Sequence, residues 1–413
     1  MLSACSPRIE GVTAGSADVP PTSLPAMAAA EIRQGSNRAA SRRARETNDH
    51  AGRPPRRNGK TQSIPGEART PRAFPSILPV PPAGASTHVR RLAAGATLRR
   101  ALTPPQNQRE NAMTHKIAFI GLGNMGGGMA ANQAKAGQQV AAFDLSQAAL
   151  DRAAAAGCTP VASVAEAVKD ADVVITMLPA GPHVLKVYSE QIIGAAPSTA
   201  LLLDCSTIDV DTARKVAGLA RDAGYAFADA PVSGGTMAAD AGTLAFMVGC
   251  DEPDFARIEA ALEPMSRATF RAGDHGAGQA AKICNNMILG ITMLGTCEAV
   301  ALAEKLGLDP AKMFDIVAKS SGQSWSVTTY YPWPGPVPTA PSNRNYDGGF
   351  AAAMMLKDLK LAQGAAAKAG ASTPLGAQTE ALFQMFNGLG YGGRDFSGIL
   401  QMLRGKLDEL EKG

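Results

Sequence analysis

The chain has 413 residues, of which 45% are hydrophobic and 18% charged, and its formal net charge is +4. This length and composition predict about two or three globular domains and exclude a fibrous or wholly disordered protein. Polar residues interrupt even the longest apolar stretch, which argues against an integral membrane protein. The 6 cysteines show no paired spacing, so we expect neither a disulfide scaffold nor a zinc site, and a reducing compartment.

Residues 1–112 differ from the rest of the chain in charge. They contain 17 Lys and Arg residues against 7 Asp and Glu, and 14 of the 28 prolines. Because such a segment cannot bury enough apolar surface to offset its conformational entropy, we expect it to be disordered. The favoured interpretation is an upstream extension outside the working protein, with Met113 as the functional start. A transit peptide and a nucleic-acid-binding arm are the alternatives, disfavoured by early acidic residues and by the lack of aromatic residues among the basic ones.

The part after residue 112 opens with an apolar run at 116–120, the turn G-x-G-x-x-G at 121–126 and an alanine-rich helical stretch. Such glycines allow a tight turn and a close approach of the backbone to a pyrophosphate, which then rests on the helix N-terminus. Asp144 ends the next apolar run, 23 residues after the first glycine. An acid there binds the ribose hydroxyls and repels a 2′-phosphate, so the pattern predicts an NAD site rather than an NADP site.

Further apolar runs at 172–178 and 201–204 alternate with helical stretches, which predicts a doubly wound parallel sheet. Ligands of such sheets bind beyond the carboxyl ends of the strands. This rule brings Leu178, Pro179 and the pair Ser206 and Thr207 to the cofactor. Helix capping is the alternative for Thr207 and for Asp209.

A long apolar helix is predicted from about residue 276 to 306, and its first turns carry Lys282 and Asn286 on one face. Desolvation among Ala, Ile, Cys and Met neighbours would lower the pKa of Lys282 toward the working pH, as a general acid–base requires. A surface lysine in the first turn is the alternative. Because the helix is apolar nearly all round, we expect it to be buried on several sides, including by a second subunit, in a homo-oligomer (a dimer or a tetramer).

The segment 229–236 contains a serine followed by two glycines, Ser233, Gly234 and Gly235. These residues expose a hydroxyl and several backbone amides that could hold a small carboxylate. A structural turn is the alternative.

Taken together, these motifs resemble those of the β-hydroxyacid dehydrogenases, most closely the branch that acts on hydroxyisobutyrate. The likeness runs from residue 116 to about 405. It rests on four motifs: 121–126, 229–235, the glycines before Lys282 with Asn286, and 357–362. The segment 320–326 and the proline-rich loop after it are similar as well. The fold class that this resemblance implies is α/β: an N-terminal Rossmann-like domain at 113–275 followed by an all-α C-terminal domain for substrate and oligomerisation at 276–413.

The same resemblance implies roles for single residues, with Lys282 as the catalytic acid–base. The residues expected to hold the substrate are Ser233, Gly234, Gly235 and Asn286. The residues expected to contact the cofactor, besides Asp144, are Gly121, Leu122, Gly123, Asn124, Met125, Gly126, Leu178, Pro179, His183, Thr207 and Lys357. His183 stands where family members often have asparagine. From the sequence pattern alone, Lys357 could also be one charge of a solvated helical face.

The implied activity is NAD-dependent oxidation of a hydroxy acid whose primary alcohol lies one carbon from the carboxylate, without a metal, a membrane or nucleic acid. The expected location is the cytoplasm, or the mitochondrial matrix if residues 1–112 form a transit peptide. The alternatives are a related reductase of tartronate or succinate semialdehyde and a non-catalytic NAD-binding protein.

Replacing Asp144 by Ala is expected to lower the preference for NAD over NADP, because the carboxylate that repels the 2′-phosphate is removed. The ratio of kcat/KM for the two cofactors measures the effect. An unchanged ratio would mean that Asp144 does not contact the ribose.

Overall fold

The computed structural model describes residues 114–411, so the predictions for residues 1–112 lie outside the described part. Nine strands form one sheet in the first half of the described chain. They are β1 (Lys116–Ile120), β2 (Gln139–Phe143), β3 (Thr159–Pro160), β4 (Val173–Thr176), β5 (Leu201–Asp204), β6 (Ala226–Asp229), β7 (Val232–Ser233), β8 (Leu244–Gly249) and β9 (Ser266–Gly273). The helices between them are α1 (Gly126–Lys135), α2 (Gln147–Ala155), α3 (Val164–Val168), α4 (Gly181–Val187), α5 (Val210–Asp222), α6 (Gly235–Ala241) and α7 (Phe255–Leu262).

After β9 the described chain is helical. Its α-helices are α8 (Ala277–Lys305), α9 (Pro310–Val317), α10 (Trp325–Thr328), α11 (Ala352–Ala369), α12 (Pro374–Phe386) and α13 (Ile399–Arg404). The predicted fold class is therefore confirmed: a Rossmann-like α/β region is followed by an all-α region. The boundary placed at residue 275 stays a prediction.

The sheet has the order β3-β2-β1-β4-β5-β6-β8-β7, with β9 beside β8. Strands β1 to β6 pair in parallel, and β8 runs antiparallel to β6 and β7. Helices cover both faces, so alternate residues of one strand enter different cores: Phe119 packs in one and Ile120 in the other. This burial on both sides is why the parallel strands are continuous apolar runs.

Strands β3, β7 and β9 were not predicted from the sequence. Strands β3 and β7 have only 2 residues each. Strand β9 is half-exposed along most of its length and contains Arg267, Thr269 and Arg271 among its apolar residues. Because β9 pairs only with β8 among the described strands, it lacks the buried apolar run by which central strands are recognised.

Helix α8 begins directly on the sheet. The buried Asp229 carboxylate at the end of β6 accepts hydrogen bonds from the backbone N–H groups of Gly276 (2.7 Å) and Gln279 (2.9 Å). A Cβ added at Gly278 would lie 2.4 Å from the Met247 carbonyl oxygen and 2.6 Å from that of Asp229. Only glycine permits this approach of the first helical turn to β6 and β8.

Helix α8 is also long and apolar enough, by length and composition, to cross a membrane. In the structure it is the central helix of the all-α region, and it packs against α10, α11, α12 and α13 as well as against β8 and β9. These contacts on several sides account for part of the apolar sequence, whereas Ile288 and Leu302 are exposed.

Replacing Gly278 by Ala is expected to lower the free energy of unfolding by roughly 1–3 kcal/mol, because the added methyl group overlaps backbone oxygens that cannot move without distorting the sheet. Urea denaturation measures the change. The matched control is Gly364→Ala in α11, where an added Cβ meets nothing within 4 Å. This variant is expected to gain up to about 1 kcal/mol from helix propensity. Equal effects of the two substitutions would contradict the close packing at Gly278.

Candidate active site

The three glycines of the turn between β1 and α1 differ in their surroundings. Gly121 has φ 93°, and a Cβ there would lie 2.3 Å from the Met177 carbonyl oxygen. A Cβ at Gly126 would lie 1.9 Å from the carbonyl oxygen of Gly121. At Gly123, in contrast, an added Cβ meets no described atom within 4 Å. Gly121 and Gly126 are thus required by the turn itself, whereas Gly123 borders open space.

The N-terminus of α1 is suited to an anion. Its N-cap residue, Met125, makes no side-chain capping hydrogen bond, and Gly123 and Asn124 before it are exposed. The Gly127 N–H donates to the Gly123 carbonyl oxygen (3.0 Å). The partial positive charge of the helix end and the other N–H groups of its first turn remain suited to a phosphate. The residues present therefore fit the pyrophosphate of a dinucleotide.

Asp144 lies directly after β2 and holds the glycine-rich turn in place. Its Oδ2 accepts a hydrogen bond from the backbone N–H of Leu122 (2.7 Å), and its Oδ1 accepts one from that of Ser146 (2.8 Å). The Leu122 side chain is buried in the core, so only the backbone of Leu122 faces the turn. Asp144 thus organises the turn and stands, half-buried, at the strand end where the sequence analysis placed it.

The loops that follow β4 and β5 contact each other and are joined to the all-α region. The Leu178 backbone N–H donates to Ser206 Oγ (2.8 Å). Lys357 Nζ, on α11, donates to the carbonyl oxygen of Thr207 (2.8 Å) and more weakly to that of Pro179 (3.5 Å). The alternative of a solvated helical face does not describe Lys357, because its ammonium group joins two loops of the sheet region.

Two other predictions for this edge of the sheet have different outcomes. Asp209 caps α5, since its Oδ1 accepts a hydrogen bond from the Thr212 backbone N–H (2.9 Å). His183 lies on the exposed side of α4. Its contact with the cofactor stays a prediction.

A buried polar cluster connects α8 with α11. Lys282 is 7% exposed, and its Nζ donates to Asn286 Oδ1 (3.2 Å). The amide nitrogen of Asn286 donates in turn to Asp358 Oδ2 (2.5 Å). Asp358 Oδ1 lies 3.8 Å from Lys357 Nζ. Lys282, Asn286, Asp358 and Lys357 therefore form one chain of polar contacts, named here the lysine cluster, that reaches the loop at Thr207.

Burial sets the charge state within the lysine cluster. It lowers the pKa of Lys282, an effect that the positive charge of Lys357 increases and the negative charge of Asp358 opposes. Burial also lowers the pKa of Lys357, whereas the negative charges of Asp358 and Asp204 raise it. A lysine whose pKa is lowered toward the working pH can accept and donate a proton, so Lys282 has the property that acid–base chemistry needs.

The turn with Ser233, Gly234 and Gly235 lies at the end of β7, beside β8. Ser233 pairs with Ala245 of β8, the strand whose Met247 touches the first turn of α8. Gly234 has φ 138° and Gly235 φ 70°, conformations that favour glycine. An added Cβ at Gly235 would meet no described atom, so this side of the turn is open. Its contact with a substrate stays a prediction.

Two side chains among these groups were not predicted from the sequence to belong to the site. Asp358 is 3% exposed and is the partner of Asn286 rather than a surface charge. Gln279, fully buried and three residues before Lys282, donates to the Ser206 carbonyl oxygen (2.7 Å) and accepts from the Ile208 N–H (3.0 Å). The spacing of Gln279 from Lys282 was an available signal, since residues three apart share a helix face.

The fold and the site together define a dinucleotide-binding oxidoreductase. Residues 116–273 match the family model "NAD binding domain of 6-phosphogluconate dehydrogenase", and residues 276–403 match "NAD-binding of NADP-dependent 3-hydroxyisobutyrate dehydrogenase". These matches confirm the predicted nicotinamide cofactor, and NAD fits the acid at Asp144.

Relatives and solved structures agree with these matches. The chain is 49% identical over 294 residues to 3-hydroxyisobutyrate dehydrogenase of Pseudomonas aeruginosa, covering 70% of this chain and 99% of the relative. It is 47% identical over 291 residues to an NAD-dependent L-serine dehydrogenase of the same organism, covering 70% and 97%. A structure described as Mycobacterium tuberculosis 3-hydroxyisobutyrate dehydrogenase with L-serine has a TM-score of 0.68 at 46% identity, covering 71% and 100%. The chain belongs to the β-hydroxyacid dehydrogenase family and is an NAD-dependent hydroxyacid dehydrogenase.

Proposed function

We propose that this protein oxidises 3-hydroxyisobutyrate to methylmalonate semialdehyde with NAD, a reaction of valine degradation. The observation that carries this proposal is the lysine cluster, in which Lys282 is buried beside Asn286 and connected through Asp358 and Lys357 to the loops after β4 and β5. The names of two similar dehydrogenases, from Pseudomonas aeruginosa and Mycobacterium tuberculosis, support the choice of substrate.

In the proposed reaction, neutral Lys282 accepts the proton of the substrate hydroxyl as the carbon–oxygen double bond forms. Asn286 is held in one orientation, because its amide nitrogen is bonded to Asp358 and its oxygen therefore faces Lys282. This fixed geometry orients the substrate against the base, which contributes to the rate. The chemistry that bound NAD supplies is acceptance of the hydride.

The substrate carboxylate is proposed to bind at Ser233, Gly234 and Gly235. The hydroxyl group of Ser233 and the backbone N–H groups of a turn with left-handed glycines provide donors without a side chain in the way. Asn286 would contact the other side of the substrate. The cofactor is proposed to contact the glycine-rich turn, Asp144 and the loops after β4 and β5.

L-Serine is the second candidate substrate, because one relative is named an L-serine dehydrogenase and one similar structure is described with L-serine. The two compounds differ at the second carbon, where L-serine has an ammonium group and 3-hydroxyisobutyrate a methyl group. A buried ammonium group requires an acceptor. In the lysine cluster, the Asp358 carboxylate is already bonded to Asn286 and paired with Lys357, which favours the methyl group.

The homo-oligomer, a dimer or a tetramer, remains part of the proposal. Ile288 and Leu302 on α8 and Leu306, directly after its end, are 60%, 59% and 75% exposed. They are separated by close to whole helical turns and so lie on one face. An apolar face of this kind is suited to a second subunit.

The domain boundary and the cellular location are proposed as well. The two-domain division at residue 275 agrees with the change from sheet to helices after β9. The proposed location is the cytoplasm, or the mitochondrial matrix if residues 1–112 form a transit peptide. Relatives from Dictyostelium and Drosophila, whose names include "mitochondrial", support the second case.

The purified protein is expected to reduce NAD in the presence of 3-hydroxyisobutyrate with a higher kcat/KM than with L-serine, glycerate or 4-hydroxybutyrate, measured by NADH absorbance. Lys282→Ala is expected to lower kcat by at least about 100-fold, since general acid–base groups contribute roughly 10²–10⁴. NADH binding by this variant is expected to stay close to that of the wild type.

Near-normal turnover of Lys282→Ala would refute the role of Lys282. If the wild type binds NADH but oxidises none of the hydroxy acids, the protein is a non-catalytic NAD-binding protein. A higher kcat/KM for L-serine would replace the proposed substrate by the second candidate.

The pH dependence of oxidation gives an independent measurement of the lysine cluster. Because the neutral form of Lys282 is the base, kcat rises as pH increases through its pKa. Asp358 raises that pKa, so Asp358→Asn is expected to lower it and to move the rising limb of the kcat profile to lower pH.

The matched control is Glu298→Gln on the same helix, 16 residues from Lys282 and so about 24 Å away along the axis. Its profile is expected to coincide with that of the wild type. A limb that moves to higher pH in Asp358→Asn would show that Asp358 does not act on Lys282 through its charge.

A further inference from the structure

Asp204, the last residue of β5, is a fully buried carboxylate beneath the loops of the cofactor cleft. Its Oδ1 accepts hydrogen bonds from the hydroxyls of Ser206 (2.6 Å) and Thr176 (2.7 Å) and from the Ser206 backbone N–H (3.2 Å). Its Oδ2 is buried and has no hydrogen-bond partner among the described residues. Burial raises the pKa of Asp204 to about 6. A carboxyl group in this position is costly, and packing alone gives no reason to keep it.

The two hydroxyls that donate to Asp204 have second partners in different parts of the fold. Ser206 Oγ accepts a hydrogen bond from the backbone N–H of Leu178, which lies two residues after the end of β4 in the loop over the cleft (2.8 Å). Thr176 Oγ1 instead contacts the hydroxyl of Tyr188, which is buried in the core behind the sheet (3.2 Å). Of these two hydroxyls, only that of Ser206 contacts a loop of the cleft.

The geometry points to Asp204 as a positioning residue for the nicotinamide cofactor: by orienting the Ser206 hydroxyl, it sets the backbone at Leu178 and Pro179 at the distance from the glycine-rich turn that the cofactor requires. This inference rests on the proposed function only in that the cofactor binds in this cleft. It assigns to Asp204 and Ser206 an indirect role, since both side chains are buried below the loops and do not face the cleft.

The same loops are held from above by Lys357. Its ammonium group donates hydrogen bonds to the carbonyl oxygens of Thr207 and Pro179. The negative charge of Asp204 below the loops raises the pKa of Lys357 and so favours its charged form. A hydroxyl oriented by a carboxylate is a stronger and more directional acceptor than a free one. Loss of the Ser206 hydroxyl would therefore leave the Leu178 N–H without its acceptor and allow the loop to shift under the Lys357 contact.

The test compares Ser206→Ala with Thr176→Val. Each substitution removes one hydroxyl donor from the same oxygen of Asp204, but only the first cuts the link to Leu178. The dissociation constant for NADH, from fluorescence titration, is expected to rise about 3- to 10-fold in Ser206→Ala, the range expected for one hydrogen bond. In Thr176→Val it is expected to stay within about twofold of the wild type.

A purely structural role would lower the free energy of unfolding in both variants and leave their NADH affinities alike, and this result would overturn the inference. If Ser206→Ala does not fold, Ser206→Cys preserves the volume with a weaker acceptor and is expected to raise the dissociation constant by at least about 3-fold. Wild-type protein that does not bind NADH would overturn the proposed function and the inference together. Wild-type binding with equal affinities of the two variants would overturn the inference alone.

Discussion

The position of Lys282 depends on how the first turn of α8 is held against the sheet. Asp229 accepts two backbone N–H bonds from that turn, and Gly278 lets the helix approach β6 and β8 to a distance that no side chain would allow. The carboxylate stands at the positive end of a 29-residue helix, where a negative charge is most favourable. Burial nevertheless raises the pKa of Asp229 to about 7, because the interior disfavours its charged form.

The proposed catalytic residues lie along one face of α8, after the first turn that Asp229 holds. One turn past Gly278, Lys282 is enclosed, and one further turn on, Asn286 connects it to Asp358. Buried charges are tolerated when they are paired and hydrogen-bonded, and here Asp358 serves two ammonium groups that belong to different helices. The same arrangement that keeps Lys282 out of water also joins the all-α region to the loops of the sheet through Lys357. Base and cofactor loops are therefore positioned by one continuous set of polar contacts.

Much of this site could be predicted because its information is local in sequence. A strand, a glycine-rich turn and a helix that follow one another directly form a phosphate-binding unit from their own backbone, so residues 116–135 and Asp144 were recognisable without any distant contact. Lys282 and Asn286 share a helix face by their spacing of four residues, and their apolar neighbours indicated burial, which the exposed fractions of 7% and 2% match. The turn of Ser233 could be recognised for the same reason, although its ligand could not.

What the sequence by itself determined was the fold class and the identity of the local motifs, since strand and helix periodicity and glycine conformations act over a few residues. Only the tertiary structure decided which buried polar groups are partners. Asp358 lies 72 residues from Asn286, Lys357 lies 150 residues from Thr207, and Ser206 lies 28 residues from Leu178. From the sequence alone, Asp358 is predicted to be a surface charge, because it follows Lys357 and lies two residues before Lys360. The packing of α11 on α8 removes it from water, and the burial of a polar side chain depends on covering elements that are distant in the chain.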